Sequence, residues 1–192
     1  IPSSPVLSYE KGLVLLQLGR LTDAEGLLQV AARKLTTHYT LDLIHATCAY
    51  VIGKTESATE SLTKCLAEIP RDHEPSVIYL ARLLQVDFNK DRSGVKRGSD
   101  SAKNSQAATL GDPVLQYYNS VANRKAVLDW AGIAKSPEQA RQQICAAAFW
   151  MAQWEKAYGD PTKAKELLKI AVDAGSPDMT EWQFANWQWD KN

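Results

Sequence analysis

The chain has 192 residues, with 22 basic side chains against 22 acidic ones and 45% hydrophobic residues. Balanced charge gives no field of one sign to steer nucleic acid or an anionic membrane, so neither is an expected partner. No apolar stretch comes near the ~20 residues a membrane span needs.

The length suffices for one compact domain with a real core. The cysteines, Cys48, Cys65 and Cys145, are odd in number and lie in apolar runs, so they are expected as buried small hydrophobes rather than a disulfide framework. No secretory leader pattern is read at Ile1, and the compartment stays open.

Five of the eight prolines follow Ser or Asp: Ser4-Pro5, Asp112-Pro113, Ser136-Pro137, Asp160-Pro161 and Ser176-Pro177. Ser and Asp accept bonds from the free amides of a first turn, and Pro at the first helical position loses no hydrogen bond. These pairs therefore read as helix starts. No alternating β-rich run competes with them, and the chain is expected to be all-α.

The first helix is expected over about 5–18, with Gly12 letting a paired helix approach closely and Gly19 ending the helix. Thr22 is expected to cap the second helix, with Glu25 completing a capping box and Ala24, Leu27, Leu28 and Ala31 facing inward. A third helix over about 41–52 carries Ala46 at the small-residue position. A fourth covers 56–68, with Pro70 just beyond it. Glu74-Pro75 opens a fifth, through Val77 to Leu84. Residues 89–111 are polar and read either as a short helix over about 100–109 or as a loose connection; their basic cluster (Lys90, Arg92, Lys96, Arg97, Lys103) is expected to be solvated, the alternative being contact with an acidic partner. Beyond Asp112, a short helix begins at Pro113 and another spans about 126–131. A long one capped by Ser136 runs to about Tyr158, a further one runs from Asp160-Pro161 to near Gly175, and the last covers about 179–189.

Two fragments repeat each other. Gly19-Arg20-Leu21-Thr22-Asp23-Ala24, then Leu28 and Ala31, is matched 34 residues later by Gly53-Lys54-Thr55-Glu56-Ser57-Ala58, then Leu62 and Cys65. A third copy is Gly159-Asp160-Pro161-Thr162-Lys163-Ala164, then Leu168 and Ala171. This spacing resembles the tetratricopeptide repeat, in which antiparallel helix pairs stack on one another. The resemblance implies an α-solenoid of antiparallel pairs with a right-handed superhelix, as a single domain over 1–192. Two regular pairs would span 5–72, a degenerate third pair with its polar connection 73–111, and a C-terminal part closed by a capping helix 112–192.

The second half is similar in more detail to bacterial tetratricopeptide lipoproteins of the NlpI type. Pro113-Val-Leu-Gln-Tyr-Tyr, Cys145-Ala-Ala-Ala-Phe149-Trp150, Gly159-Asp160 with Ala164, and Glu181-Trp-Gln-Phe-Ala185 follow the order of that family's C-terminal helices. Trp150 stands where the family has Tyr, and Ala152 where it often has Gly. The resemblance implies a non-catalytic adaptor that holds other envelope proteins together. A periplasmic or envelope location is implied by the likeness alone; the alternative is the cytoplasm.

In tetratricopeptide proteins, ligands lie along the concave surface made by the first helix of each pair. Carried over, those positions are Tyr9, Leu13 and Gln17, then Leu43, Thr47 and Tyr50, then Val77, Ala81 and Leu84. The Lys and Asn that clamp a partner's C-terminal carboxylate in some members are missing, since Tyr9, Leu43, Leu13 and Thr47 hold those places. An aromatic and aliphatic groove suits an apolar helix or an extended peptide better.

Five of six tryptophans fall after residue 149. They are expected to cover the terminal repeat face, the alternative being an exposed patch for a partner or for self-association. His38, His45 and His73 show no metal spacing, no Ser or Cys has a recognisable His and acid partner, and no glycine loop would cradle phosphate. No cofactor or metal is expected. Two rivals to the adaptor remain: a structural protein that forms a homodimer, and an enzyme with a site in 113–135, where Tyr117, Tyr118, Arg124 and Asp129 are the densest polar group.

Overall fold

The computed structural model describes residues 4–35, 38–69, 75–85, 112–120 and 122–191. These residues form ten helices and no strand: α1 (Pro5–Gln17), α2 (Leu21–Lys34), α3 (Tyr39–Val51), α4 (Thr55–Glu68), α5 (Pro75–Leu83), α6 (Pro113–Tyr118), α7 (Arg124–Ala131), α8 (Pro137–Tyr158), α9 (Pro161–Ala174) and α10 (Thr180–Asp190). The chain is all-α, and adjacent helices pack as helical hairpins, the plan of an α-solenoid. It divides into two compact units, Ile1–Arg92 and Ser93–Asn192.

In the first unit, α1 packs on α2, α2 on α3, α3 on α4, and α4 on α5. The 34-residue register holds in space. Ala24 and Ala58, Leu28 and Leu62, and Ala31 and Cys65 are all fully buried. Gly12 explains the closeness of the first pair, because a Cβ there would stand 2.9 Å from the Leu28 side chain. Ala46, its counterpart on α3, is likewise sealed in the core.

Both hairpins turn in the same way. Gly19 (φ 69°) and Gly53 (φ 86°) take the left-handed conformation that a side chain disfavours. Gly19 N–H donates to Leu16 O (3.0 Å) and Arg20 N–H to Leu15 O (2.8 Å). Gly53 and Lys54 repeat these bonds to Tyr50 O (3.0 Å) and Ala49 O (2.8 Å), so both ends are Schellman motifs.

The start of α2 differs from the expected capping box. The helix begins at Leu21 with Arg20 at the N-cap and no side-chain cap bond. Thr22 is inside the first turn, and Glu25 is turned into the core rather than back to the helix end. Helix α5 begins at Pro75 as expected; the polar connection over 89–111 lies outside the described residues.

The second unit is built on α8, the longest helix. Helix α9 lies along it, α10 packs on both, and α6 and α7 pack on α8 and on each other. The core joins Phe149 and Trp150 edge to face (5.0 Å between ring centroids) and stacks Phe149 on Phe184 (6.1 Å). Three of the Ser/Asp–Pro starts are capped by the expected side chain. Asp112 accepts from Val114 and Leu115 N–H, Ser136 from Gln139 N–H, and Asp160 from Thr162 N–H. Ser4-Pro5 starts α1 without a cap bond, and Asn123 caps α7. Ser176-Pro177 does not start a helix: Ser176 donates to the Asp178 carboxylate (2.5 Å), and α10 begins at Thr180.

The third copy of the glycine motif turns by different means. Gly159 has φ −124°, outside the left-handed region. Its N–H donates to Glu155 O (3.0 Å), but Asp160 N–H donates to the Glu155 side chain (Oε2, 2.7 Å) rather than to a carbonyl. The Tyr117 hydroxyl donates to the other oxygen of that carboxylate, tying α6 to the α8–α9 turn.

Candidate functional site

The carried-over groove positions fall into two sets. Leu43, Thr47, Val77 and Ala81 are buried, and Thr47 Oγ1 donates back to Leu43 O (2.9 Å), which occupies its polar atom within α3. Tyr9, Leu13, Tyr50 and Leu84 are half-buried, and Gln17 is exposed. Burial raises the Tyr9 phenol above its ordinary pKa, so it is an un-ionised hydroxyl at neutral pH. The surface on offer is therefore aromatic and aliphatic with an amide beside it.

The first unit also brings together a constellation that sequence reasoning missed. Glu25, His45 and Ser61, from α2, α3 and α4, are all buried. His45 Nδ1 stands 2.7 Å from Ser61 Oγ, and His45 Nε2 stands 3.4 Å from Glu25 Oε1. An ionised carboxylate only accepts, so Nε2 carries the ring proton and Nδ1 accepts from the serine hydroxyl. Lys54 Nζ closes the network at 2.5 Å from Glu25 Oε2, and Ser57 Oγ donates to Glu25 Oε1 at 3.5 Å.

Burial alone would push the Glu25 carboxyl up, but the Lys54 ammonium and His45 outweigh it and hold it below its ordinary value. Burial holds the His45 imidazole low against the pull of Glu25, so the ring is neutral at pH 7. Serine, imidazole and carboxylate are the residue types of a nucleophilic array. Access is another matter, because the recess beside them, bounded by Gln29, Arg33, Glu60 and Lys64, leaves no volume for a water-sized guest. What the arrangement does in this structure is join three helices through polar bonds. One signal was legible: Glu25 sits on the stripe Leu21, Ala24, Leu28, where core spacing puts a carboxylate that then needs partners.

Each side chain of the polar group in 113–135 bonds a residue outside that group. Tyr118 is buried and donates to Trp150 O (2.9 Å), and Tyr117 is bonded to Glu155. Arg124 pairs with Glu166 (2.5 Å), and Asp129 with Lys125 (2.5 Å).

The tryptophans divide between core and surface. Trp150 is fully buried. Half-buried Trp154 stacks on Tyr118 (4.4 Å between centroids, 13° between planes), and half-buried Trp182 donates its indole N–H to Val172 O (3.1 Å). Half-buried Trp187 and Trp189 lie under the ammonium groups of Lys191 (4.5 Å) and Lys165 (5.7 Å). Cys48, Cys65 and Cys145 are buried thiols, and burial pushes Cys48 and Cys145 up to about 12. Among the described residues no His, Cys, Asp and Glu group has the geometry of a metal site, and no helix is long and apolar enough to cross a membrane.

No family model matches this chain, and no curated protein matches it either.

Proposed function

We propose that the chain is a tetratricopeptide-type scaffold that binds a partner protein or peptide and carries out no catalysis of its own. The observation that supports this reading is the retention of open side chains at the groove positions of successive hairpins. Tyr9 and Leu13 on α1, Tyr50 on α3, and Leu84 beyond α5 are half-buried rather than sealed in the core. Amphipathic aromatics held on rigid helices are suited to anchoring a peptide at low entropic cost. A bacterial envelope setting, as in the NlpI-type proteins that the second half resembles, belongs to the same proposal.

The test is affinity capture with the purified chain from an extract of its source cells, beside a Tyr50→Ala variant of equal helicity. A stoichiometric partner captured by the wild type and lost with Tyr50→Ala supports the groove. Equal capture by both proteins removes it.

A further inference from the structure

Lys54 is fixed at its backbone before its side chain reaches anything. Its N–H closes the second glycine turn on Ala49 O (2.8 Å), and the residue is the N-cap of α4. From there the four-carbon stem delivers Nζ to Glu25 Oε2 at 2.5 Å. The pair is lopsided, since the lysine side chain is 51% exposed and the carboxylate 2%. Lys64–Glu60, Lys125–Asp129 and Lys169–Asp173 are of another kind, each spanning one turn of a single helix with an exposed carboxylate. Water takes over when such a surface pair breaks. Glu25 has no such substitute, and a buried charge stripped of its partner is costly.

The repeat can be built without this arrangement. In the 34-residue register Glu25 corresponds to Thr59, which donates back to Thr55 O within its own helix (2.9 Å). His45 corresponds to Tyr79, and Ser61 to Leu27. Lys54 itself corresponds to Arg20, which pairs with the exposed Asp23. The network is thus an addition to the fold at one place.

That place holds a second cation in reserve. His45 is neutral while Lys54 neutralises Glu25, yet its Nε2 already faces Glu25 Oε1 at 3.4 Å. The Ser61 hydroxyl, 2.7 Å from Nδ1, can turn from donor to acceptor, so both nitrogens of an imidazolium would be bonded. The other charges facing the ring are Arg33 of α2 and Glu60 and Lys64 of α4. If Lys54 lost its charge, a proton would go to the imidazole before the carboxylate, whose ordinary affinity for it is about a hundredfold lower.

We infer that Lys54 is a modification site, at which a small acyl phosphate would move the counter-charge of Glu25 from the exposed ammonium to the buried His45. The flexible stem lets Nζ leave Glu25 and give a proton to solvent. The amine then attacks the acyl carbon, a C–N bond forms, the C–O bond to phosphate breaks, and the nitrogen's second proton goes to the phosphate. The network has lost one positive charge, and His45 restores it with one proton from solvent. This inference does not depend on the groove.

The experiment treats the full chain with acetyl phosphate, maps the modified lysines by mass spectrometry and titrates the His45 ring by NMR. Lys54 should be acetylated, and His45 should then bind its proton about tenfold or more tightly than before treatment. Lys54→Gln should show the same gain untreated. Lys54→Arg keeps the charge and takes no acyl group, so its His45 should titrate alike before and after treatment. The raised imidazole would stabilise the fold at acid pH and lose that effect as pH rises, the reverse of the unmodified chain. Three results overturn the inference: Lys54 untouched where Lys125 is acetylated, His45 unmoved once Lys54 is neutral, or His45 shifted by treatment in Lys54→Arg. Unfolding on loss of the Lys54 charge also overturns it, because His45 would then have failed to take over.

Discussion

His45 Nε2 lies 3.4 Å from Glu25 Oε1, and both side chains are 2% exposed. One buried carboxylate thereby links the second helix of one hairpin to the first helix of the next, while its other oxygen holds Lys54. Replacing Glu25 with Ala leaves the N–H of buried His45 without its acceptor. The expected loss is about 1–3 kcal/mol of stability, the cost of an unsatisfied buried polar group. Urea unfolding at pH 7 measures it, and an unchanged midpoint would remove the network from the account of the fold.

The same pair sets a pH dependence. The folded imidazole is held below its unfolded value, so below ~6.5 the unfolded chain takes up a proton that the folded one refuses. Its contribution is therefore complete above that pH and is lost as pH falls. Glu25, also held low, adds a loss in the same direction through the carboxylate range. An NMR titration of the His45 ring should give a midpoint below ~6.5. A midpoint above that value would mean that the pull of Glu25 outweighs burial.

Asp42 works in the opposite direction. It is 3% exposed, its Oδ1 has no hydrogen-bond partner among the described residues, and burial, with the nearby Glu68 charge, pushes it up to about 6. The folded state binds this proton more tightly than the unfolded chain does. Its stabilising effect is thus present at acid pH and lost as pH rises through about 6. Asp42→Asn should gain roughly 1–3 kcal/mol at pH 8 and nearly nothing at pH 4. Denaturation midpoints at the two values test this, and an equal gain at both would point to packing rather than charge.

The glycines offer a paired test of the first hairpin. Gly12→Ala puts a methyl group 2.9 Å from Leu28 and should cost about 1–3 kcal/mol. Gly26→Ala, in α2 with open space around its Cβ, should instead gain about 0.5–1 kcal/mol. Thermal unfolding of both variants separates helix propensity from close approach, and a stabilised Gly12→Ala protein would contradict the contact.

Glutamate at Ala24 and at Ala58 tests the register itself. The two alanines have no exposed surface and stand 34 residues apart, so each substitution buries an unpaired charge. Each should cost roughly 3–5 kcal/mol, and circular dichroism would show partial or complete unfolding. A stable Ala58→Glu protein would overturn the register.

The parts of this fold that were legible in the sequence are those set by local chemistry. Gly19 and Gly53 marked turns because positive φ is nearly a glycine property, and Asp112, Ser136 and Asp160 marked helix starts because their caps bond within three residues. Thr22 misled for the same reason: the pattern Thr-x-x-Glu satisfies a capping box, but the core claimed Glu25 for a histidine 20 residues away. Ser176-Pro177 failed as a start: the serine hydroxyl donates to Asp178, and the helix begins three residues later, at Thr180. The groove positions were carried over by register alone, and register does not say how deeply the neighbouring hairpin covers Leu43 or Val77. The Glu25, His45 and Ser61 contact was invisible because it depends on three helices meeting.

The two identical glycine turns bear on how such a chain changes length. Removing residues 20–53 would join Gly19 directly to Lys54, and the new junction would keep both turn bonds, with Leu16 O accepting from Gly19 and Leu15 O from Lys54 in place of Arg20. Growth or loss by one whole repeat therefore needs no new turn to be invented. The Gly159 turn lacks that interchangeability, because it borrows the Glu155 side chain, which Tyr117 also holds. Duplication and excision are open to the first unit at its glycines, whereas a cut at Gly159 would have to carry Glu155 and Tyr117 with it.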